Sequence, residues 1–266
     1  MMVNIVPLFD SGDPRIAPYT AIRERDLTGG ADGRFIVEGK VTLTTLLTRS
    51  RFEIESLFVC ETRLGPLADI LTHVPPSVPI YTAPQELMDQ IAGFPIHRGV
   101  LACARKGAGI EIESLLSAKT LLVLNQISNH DNVGAAFRNA AAFGAGGVLL
   151  NAGSCDPLYR KAIRVSSGSS LWLPFRHAGT GIEHIRTLKD AGYEIWAMTP
   201  RADAVSLYER ARPDKLAILL GAEGPGLPEE LLEAAQPVRI PMQAGFDSVN
   251  VATAGALALS HAFRGA

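Results

Sequence analysis

The stretch TLLVLNQISNHDNVGAAFRNAAAFG, residues 120–144, joins an apolar run to an alanine-rich run through a polar segment. The run TLLVL at residues 120–124 has the length and composition of a buried strand, and the alanine-rich run predicts a helix over residues 133–143. Asn132, Arg138 and Asn139 accompany this helix. Loops that lead from a strand into a helix are where α/β proteins place functional groups. The stretch therefore predicts an α/β fold with a site beside this helix.

The same alternation of strand-like and helix-like segments extends along the rest of the chain. The first half predicts strands at 34–39, 56–61, 78–83 and 99–105, with helices at 40–49, 64–73 and 84–93. The second half predicts strands at 120–126, 146–151, 193–199, 215–221 and 237–242, with helices at 133–143, 180–191, 228–235 and 249–263. Because the strands in the second half are apolar throughout and alternate with helices, they predict a parallel sheet covered on both faces.

The segment KGAGIEIES, residues 106–114, interrupts the alternation with two glycines and a change of charge. Such a segment is typical of a linker. The sequence therefore predicts two domains, one at residues 1–108 and one at residues 109–266.

The bulk properties restrict the class of protein. The chain has 266 residues, of which 47% are hydrophobic, and a net charge of −2, which disfavours non-specific coating of nucleic acid or membrane. Cys60, Cys103 and Cys155 form no CxxC pair, which favours a reducing compartment and no metal site. The N-terminal residues lack a signal-peptide pattern, and no apolar run reaches the roughly 20 residues of a membrane span. We expect a cytoplasmic protein.

Several common catalytic patterns are excluded by their context. The glycine-rich FGAGGVLL precedes a predicted strand, whereas a dinucleotide fingerprint must follow one. GAEGPGLPEE does follow a strand, but it lacks the Lys-Ser/Thr of a phosphate-binding P-loop. The chain has neither a GxSxG elbow nor an HExxH helix.

Three polar segments follow predicted strands, at residues 128–144, 219–232 and 240–262. Loops beyond the carboxyl ends of parallel strands share one crevice, so we expect these segments to meet. Each polar residue also has a simpler interpretation. Asn132, Ser248 and Asn250 are residue types that cap helices, Arg138 can extend from an apolar helix face to solvent, and Glu223 suits a surface turn.

Taken together, the segments contain Asn132-x-Gly-x-x-x-Arg138, then Gly221-x-Glu223-Gly-x-Gly-Leu, then Ile240-Pro-Met…Ser248-x-Asn250-Val. These resemble the three ordered motifs of the SpoU/TrmH class of RNA ribose 2′-O-methyltransferases, in the SPOUT superfamily. The resemblance runs from residue 120 to the C-terminus. The first domain is similar, less specifically, to the L30e-like substrate-binding domain often joined to these enzymes. Asn139 and Ala222 depart from the residues commonest in the family.

The resemblance implies a second domain with a trefoil knot, which ordinary topology rules would not predict. It implies S-adenosylmethionine as the cofactor, RNA as the partner and a homodimer formed through the knotted domain. The residues that it assigns to the cofactor are Thr199, Gly221, Ile240, Met242 and Val249.

The implied reaction is attack by a ribose 2′-hydroxyl on the cofactor's methyl group, without a metal. Arg138 would hold the adjacent phosphate and stabilise the developing alkoxide. Because arginine barely deprotonates, this electrostatic role comes first and a role as general base second. The residues that would orient it and the ribose are Asn132, Glu223, Ser248 and Asn250. The alternative is a catalytically silent RNA-binding or ribosome-associated protein with a degenerate methyltransferase domain. The choice between rRNA and tRNA, and the identity of the proton acceptor, stay open.

Basic residues at helical spacing predict where RNA is held. Arg160, Lys161 and Arg164 fit a phosphate-binding stripe. Weaker candidates in the first domain are Arg23, Arg25, Arg49 and Arg51.

Overall fold

The computed structural model describes residues 4–20, 22 and 33–264, so Arg23 and Arg25 lie outside the described residues. The chain divides into two compact units. The first comprises Met1–Ala108 with Leu158–Trp172, and the second comprises Gly109–Pro157 with Leu173–Ala266. The sequence predicted a single boundary, after residue 108, which puts the segment 158–172 in the second domain. In the structure this segment groups with the first unit.

The first unit contains a five-stranded mixed sheet in the order β1-β4-β3-β5-β2. Its strands are β1 Ile5–Pro7, β2 Arg34–Glu38, β3 Glu53–Cys60, β4 Ile80–Ala83 and β5 Val100–Arg105. Its helices are α1 Lys40–Thr48, α2 Leu64–Leu71, α3 Gln85–Ala92 and, from the inserted segment, α5 Arg160–Val165. β5 runs antiparallel to both β2 and β3, whereas β4 is parallel to β1 and β3.

The second unit contains a seven-stranded sheet in the order β10-β12-β9-β11-β6-β7-β8. Its strands are β6 Thr120–Leu124, β7 Gly147–Leu150, β8 Phe175–His177, β9 Glu194–Met198, β10 Val205–Ser206, β11 Leu216–Leu220 and β12 Gln236–Arg239. Its helices are α4 His130–Ala142, α6 Gly181–Asp190, α7 Glu229–Glu233 and α8 Val251–Arg264. All six strand pairings are parallel, which confirms the predicted parallel sheet.

Burial explains why the central strands could be recognised in the sequence. Every residue of β6 and β11 is buried, as expected of adjacent strands covered on both faces. β9, β11 and β6 are neighbours, with β12 beside β9, so the loops that follow these four strands lie along one edge of the sheet. This edge brings the three polar segments together.

Candidate functional site

A cavity of about 330 Å³ opens at this edge of the second unit. Its walls come from the ends of β9 and β11 and from the segment between β12 and the first turns of α8. The lining residues are Met198, Thr199, Pro200, Leu220, Gly221, Ala222, Glu223, Gly224, Gly226, Ile240, Met242, Ser248, Val249, Asn250, Val251 and Ala254.

The residues predicted to hold the cofactor all lie in this lining. They are Thr199, Gly221, Ile240, Met242 and Val249. Three of the residues predicted to act on the substrate side, Glu223, Ser248 and Asn250, line the same cavity. The motifs did not mark the apolar residues Met198, Leu220 and Ala254. Only their positions could have indicated them, because Met198 and Leu220 are the last residues of β9 and β11.

Gly221 is required by the path of the backbone. A Cβ atom at this position would lie 2.6 Å from the carbonyl carbon of Gly226 and 2.6 Å from the amide nitrogen of Leu227. The loop folds back on itself because the amide of Gly226 donates to the carbonyl of Ala222 at 3.0 Å. Gly224 and Gly226 have φ values of +85° and +71°, in the region that favours glycine. The loop therefore presents backbone groups to the cavity at close range.

Two side-chain hydrogen bonds join the three motifs. Asn132, which is buried, donates from Nδ2 to Oε1 of Glu223. Asn250 donates from Nδ2 to Oδ1 of Asn132 at 2.9 Å. Oδ1 of Asn250 also accepts from the amides of Ala252 and Thr253 at 2.9 and 3.2 Å, which caps α8. Asn132 thus fixes the start of α4 to the loop after β11 and to the start of α8.

The predicted start of α4 was wrong, and the error changes the interpretation of Asn132. The helix begins at His130, three residues before the predicted start, because Asn129 caps it by accepting from the amide of Asp131 at 2.8 Å. The sequence SNHDN offers several residues that can cap a helix, so the pattern alone does not choose among them. With Asn129 as the cap, the side chain of Asn132 is available for the hydrogen-bond network. For Asn250, the proposed capping role is correct and coexists with its bond to Asn132.

Arg138 lies on α4 outside the lining of the cavity, and its side chain is exposed. Asn132 and Asn139 are seven residues apart and share one face of α4, whereas Arg138 is turned about 100° away from Asn139. Nδ2 of Asn139 donates to the carbonyl of Ala252 at 2.9 Å and ties α4 to α8. This contact gives a structural role to a residue that departs from the family pattern.

The three basic residues predicted to bind phosphate, Arg160, Lys161 and Arg164, differ in how exposed they are. Within the first unit, the guanidinium of Arg160 forms an ion pair with Glu38 and lies 4.8 Å from the ring centroid of Phe94. Only 18% of the Arg160 side chain is exposed, and 8% of that of Glu38. Lys161 is half-buried and Arg164 is exposed. Of the three residues, Arg164 is the most accessible to a phosphate and Arg160 the least.

Metal-binding clusters and membrane-spanning helices are both absent from the part of the chain that the structure describes. It holds no group of three or more His, Cys, Asp or Glu side chains placed to bind a metal ion. Within residues 4–20, 22 and 33–264, no helix combines the length and low polarity that a bilayer-spanning segment needs.

The hydrogen-bond network predicts energetic coupling between Asn132 and Asn250. We expect the double variant Asn132→Ala/Asn250→Ala to be less destabilised than the sum of the single variants, with a coupling energy of about 0.5–3 kcal/mol. The measurement is urea unfolding of the four proteins of the cycle. A second cycle, with Asn129→Ala and Asn250→Ala, is the control. Here the losses of unfolding free energy should add, because Asn129 caps α4 and has no bond to Asn250. Additivity in both cycles would contradict the network.

Comparison with known proteins gives concordant matches. The sequence profile of the SpoU rRNA methylase family matches residues 119–260. An uncharacterized tRNA/rRNA methyltransferase of Mycobacterium bovis is 38% identical over 265 residues, covering 96% of this chain and 91% of the relative. A 23S rRNA (guanosine-2′-O-)-methyltransferase of Photobacterium profundum is 27% identical over 210 residues, covering 76% of this chain and 84% of the relative.

Solved structures match over nearly the whole chain. A crystal structure of an RNA 2′-O ribose methyltransferase superposes with a TM-score of 0.77 at 28% identity, covering 98% of each chain. An rRNA methyltransferase from Sinorhizobium meliloti with bound AdoMet superposes with a TM-score of 0.78 at 22% identity, again covering 98% of each chain. The latter match concerns the fold.

Proposed function

We propose that this chain, which belongs to the SpoU rRNA methylase family, uses S-adenosylmethionine to methylate a ribose 2′-hydroxyl of RNA. The observation that carries the proposal is the hydrogen-bonded set Glu223–Asn132–Asn250, which unites three motifs beside one cavity. The relatives that are named 2′-O-methyltransferases support the choice of the ribose hydroxyl as acceptor.

The cavity suits the cofactor in size and in chemistry. Its volume of about 330 Å³ is within the range of roughly 300–1,000 Å³ typical of small-molecule sites. Leu220, Ile240 and Met242 offer apolar surface, and the loop at Gly221 offers backbone donors and acceptors at close range. Such a lining fits a ligand with an aromatic base and an aliphatic chain. When bound, S-adenosylmethionine supplies an electrophilic methyl group.

We assign the substrate side of the site to Arg138. Its exposed guanidinium is available to a phosphate, and its fork of donors matches phosphate oxygens in a bidentate geometry. Because arginine stays protonated, it would stabilise negative charge on the attacking oxygen and would not remove the proton. The bonds from Asn250 to Asn132 and from Asn139 to Ala252 hold α4 against α8 and so fix the helix that carries Arg138. Glu223 and Ser248, at the cavity wall, would help to position the ribose.

We also propose that the second unit contains a trefoil knot and forms a homodimer, and that the protein is cytoplasmic. Exposed apolar side chains near and along α8 support an interface, namely Tyr208 (60% exposed), Leu257 (37%) and Phe263 (55%). Sedimentation equilibrium tests the dimer, and a monomer at micromolar concentration would contradict it. The L30e-like identity of the first unit also remains a proposal, carried by the sequence resemblance.

Titration calorimetry separates the proposal from the alternative of a catalytically silent RNA-binding protein. We expect S-adenosylmethionine to bind with one site per chain and S-adenosylhomocysteine to compete with it. If neither S-adenosylmethionine nor S-adenosylhomocysteine bound, the result would favour a catalytically silent RNA-binding protein. Mapping of 2′-O-methylation in a deletion strain then decides between rRNA and tRNA.

Alanine variants of Arg160 and Arg164 should differ in their effects, one lowering stability and the other weakening RNA binding. Arg160→Ala would leave the carboxylate of Glu38 buried without its ion-pair partner, so we expect a loss of about 3 kcal/mol in unfolding free energy. Arg164→Ala should leave stability unchanged and weaken RNA binding, with a salt dependence shallower by about 0.7–0.9 per decade. Thermal unfolding and fluorescence anisotropy measure the two effects. Equal RNA affinity of Arg164→Ala and wild type would remove Arg164 from the RNA surface.

A further inference from the structure

The turn that leads from β6 into α4 contains a residue in an uncommon backbone conformation. Gln126, two residues after the end of β6, has a φ of +58°. Among the described residues other than glycine, Ser167 alone shares a positive φ. Such a conformation is costly for a side chain like glutamine and persists only where neighbouring contacts enforce it. The contacts of this turn therefore decide how the chain enters α4.

Two buried side chains from the loop after β7 supply these contacts. Oδ1 of Asn151 accepts from the amide of Gln126 at 2.8 Å, and Oγ of Ser154 accepts from the amide of Ile127 at 3.1 Å. The hydroxyl of Ser154 donates in turn to Oδ1 of Asn151 at 2.9 Å. A buried amide without an acceptor is costly, so the two side chains stabilise one path of the turn over others.

The loop after β7 is itself anchored to its surroundings. The amide of Cys155 donates to the carbonyl of Ile127 at 2.9 Å, which adds a backbone bond to the same turn. Nε2 of His177, the last residue of β8, donates to the carbonyl of Ser154 at 2.8 Å. The acceptors of Asn151 and Ser154 are therefore held in place from the neighbouring strand.

The turn in its place determines where α4 starts. Asn129, three residues after Gln126, caps α4, and this helix carries Asn132 and Arg138. The walls of the cavity come from other segments, and no residue of the two loops, 125–129 and 151–157, is part of its lining. The bonds from Asn151 and Ser154 thus act on the helix of Arg138 and not on the cavity.

We propose that Asn151 and Ser154 are positioning residues for methyl transfer. By accepting from the amides of Gln126 and Ile127, they fix the start of α4 and with it the position of Arg138 relative to the cofactor. Neither side chain touches the reacting atoms. The inference rests on the proposed role of Arg138 in the reaction.

The first test is a kinetic cycle of Ser154→Ala and Arg138→Ala. Single-turnover transfer is measured from S-adenosylmethionine with a tritiated methyl group to total RNA from a strain lacking the gene. We expect Ser154→Ala to slow the transfer by roughly 10–10²-fold, because a misplacement of about 1 Å can cost the larger factor, and to bind S-adenosylmethionine as wild type does. In the Arg138→Ala background it should have no further effect, since the side chain through which it acts is absent.

The matched control is Ser206→Ala. Ser206 is also buried, and its Oγ accepts from the amide of Tyr208 at 3.3 Å, but it lies on β10, at the opposite edge of the same sheet. The control therefore removes the same kind of bond without touching the turn before α4. It should transfer the methyl group at the wild-type rate.

Hydrogen exchange followed by mass spectrometry tests the support of α4 without the reaction. In Ser154→Ala, and in Asn151→Leu as the second variant should Ser154→Ala not fold, the amides of residues 125–139 should exchange faster than in wild type. Those of residues 221–227, in the cavity loop, should be unchanged. A wild-type protein that transfers no methyl group would contradict the proposed function, whereas the exchange pattern reports on the turn alone.

Three results would each overturn the inference. The first is wild-type exchange at residues 125–139 in both variants. The second is a wild-type rate of transfer in Ser154→Ala that is folded by circular dichroism. The third is an effect of Ser154→Ala that is undiminished in the Arg138→Ala background, since the residue would then act independently of Arg138.

Discussion

Arg138→Ala should bind S-adenosylmethionine with wild-type affinity and lose roughly 10²–10³-fold in the rate of methyl transfer, the cost typical of removing one electrostatic contact to a developing charge. The physical reason is location. Arg138 is exposed on α4 and lies outside the cavity lining, so removing its side chain does not alter the cofactor pocket. We therefore expect its guanidinium to act on the RNA side of the reaction, as proposed above.

Titration calorimetry with S-adenosylmethionine and single-turnover methyl transfer under saturating RNA measure the two halves of this prediction. Arg186→Ala, an exposed arginine on α6, is the matched control and should be fully active. Arg138→Lys keeps the charge but loses the bidentate fork, so we expect an intermediate rate. Loss of cofactor affinity in Arg138→Ala, in parallel with activity, would show that the assignment of roles is wrong.

Gly221→Ala should abolish cofactor binding while the protein remains folded. The added Cβ would lie 2.6 Å from backbone atoms of both Gly226 and Leu227, and backbone cannot move aside as a flexible side chain can. The loop must therefore shift, and the backbone groups that it presents to the cavity shift with it. A misplacement of about 1 Å can cost on the order of 10²-fold in the rate of a reaction, and we expect a loss of at least this size in S-adenosylmethionine affinity, measured by calorimetry.

Gly109→Ala is the matched control, because nothing lies within 4 Å of a Cβ at that position and its φ is not in the left-handed region. It should bind cofactor as wild type does. Normal cofactor affinity in Gly221→Ala would mean that the loop after β11 does not form the binding surface.

The strands that build the site could be predicted because their burial leaves a direct record in the sequence. β6 and β11 are wholly buried and read as uninterrupted apolar runs, and parallel topology then brings their ends to one edge. β1, β8 and β10 have two or three residues each, too few to show a periodicity, and were not predicted. Such short strands form because a neighbour supplies the pairing.

The contacts that join distant residues could not be read from the sequence. Asn132 and Glu223 are 91 residues apart in the sequence, and Asn132 and Asn250 are 118 apart. The motifs identified these residues as site candidates but did not indicate the hydrogen bonds between them. The ion pair of Arg160 with Glu38 spans 122 residues. Helical spacing grouped Arg160 with Lys161 and Arg164 as one stripe, whereas the fold uses Arg160 within the first unit.

The most direct test of the proposed reaction is to identify the atom that receives the methyl group. Purified protein is incubated with S-adenosylmethionine carrying a deuterated methyl group and with total RNA from a strain lacking the gene. The RNA is then digested to nucleosides for mass spectrometry. We expect label on the ribose of a 2′-O-methylnucleoside with wild type and none with Gly221→Ala. Label confined to base-methylated nucleosides, or no label with any RNA fraction, would contradict the proposed reaction.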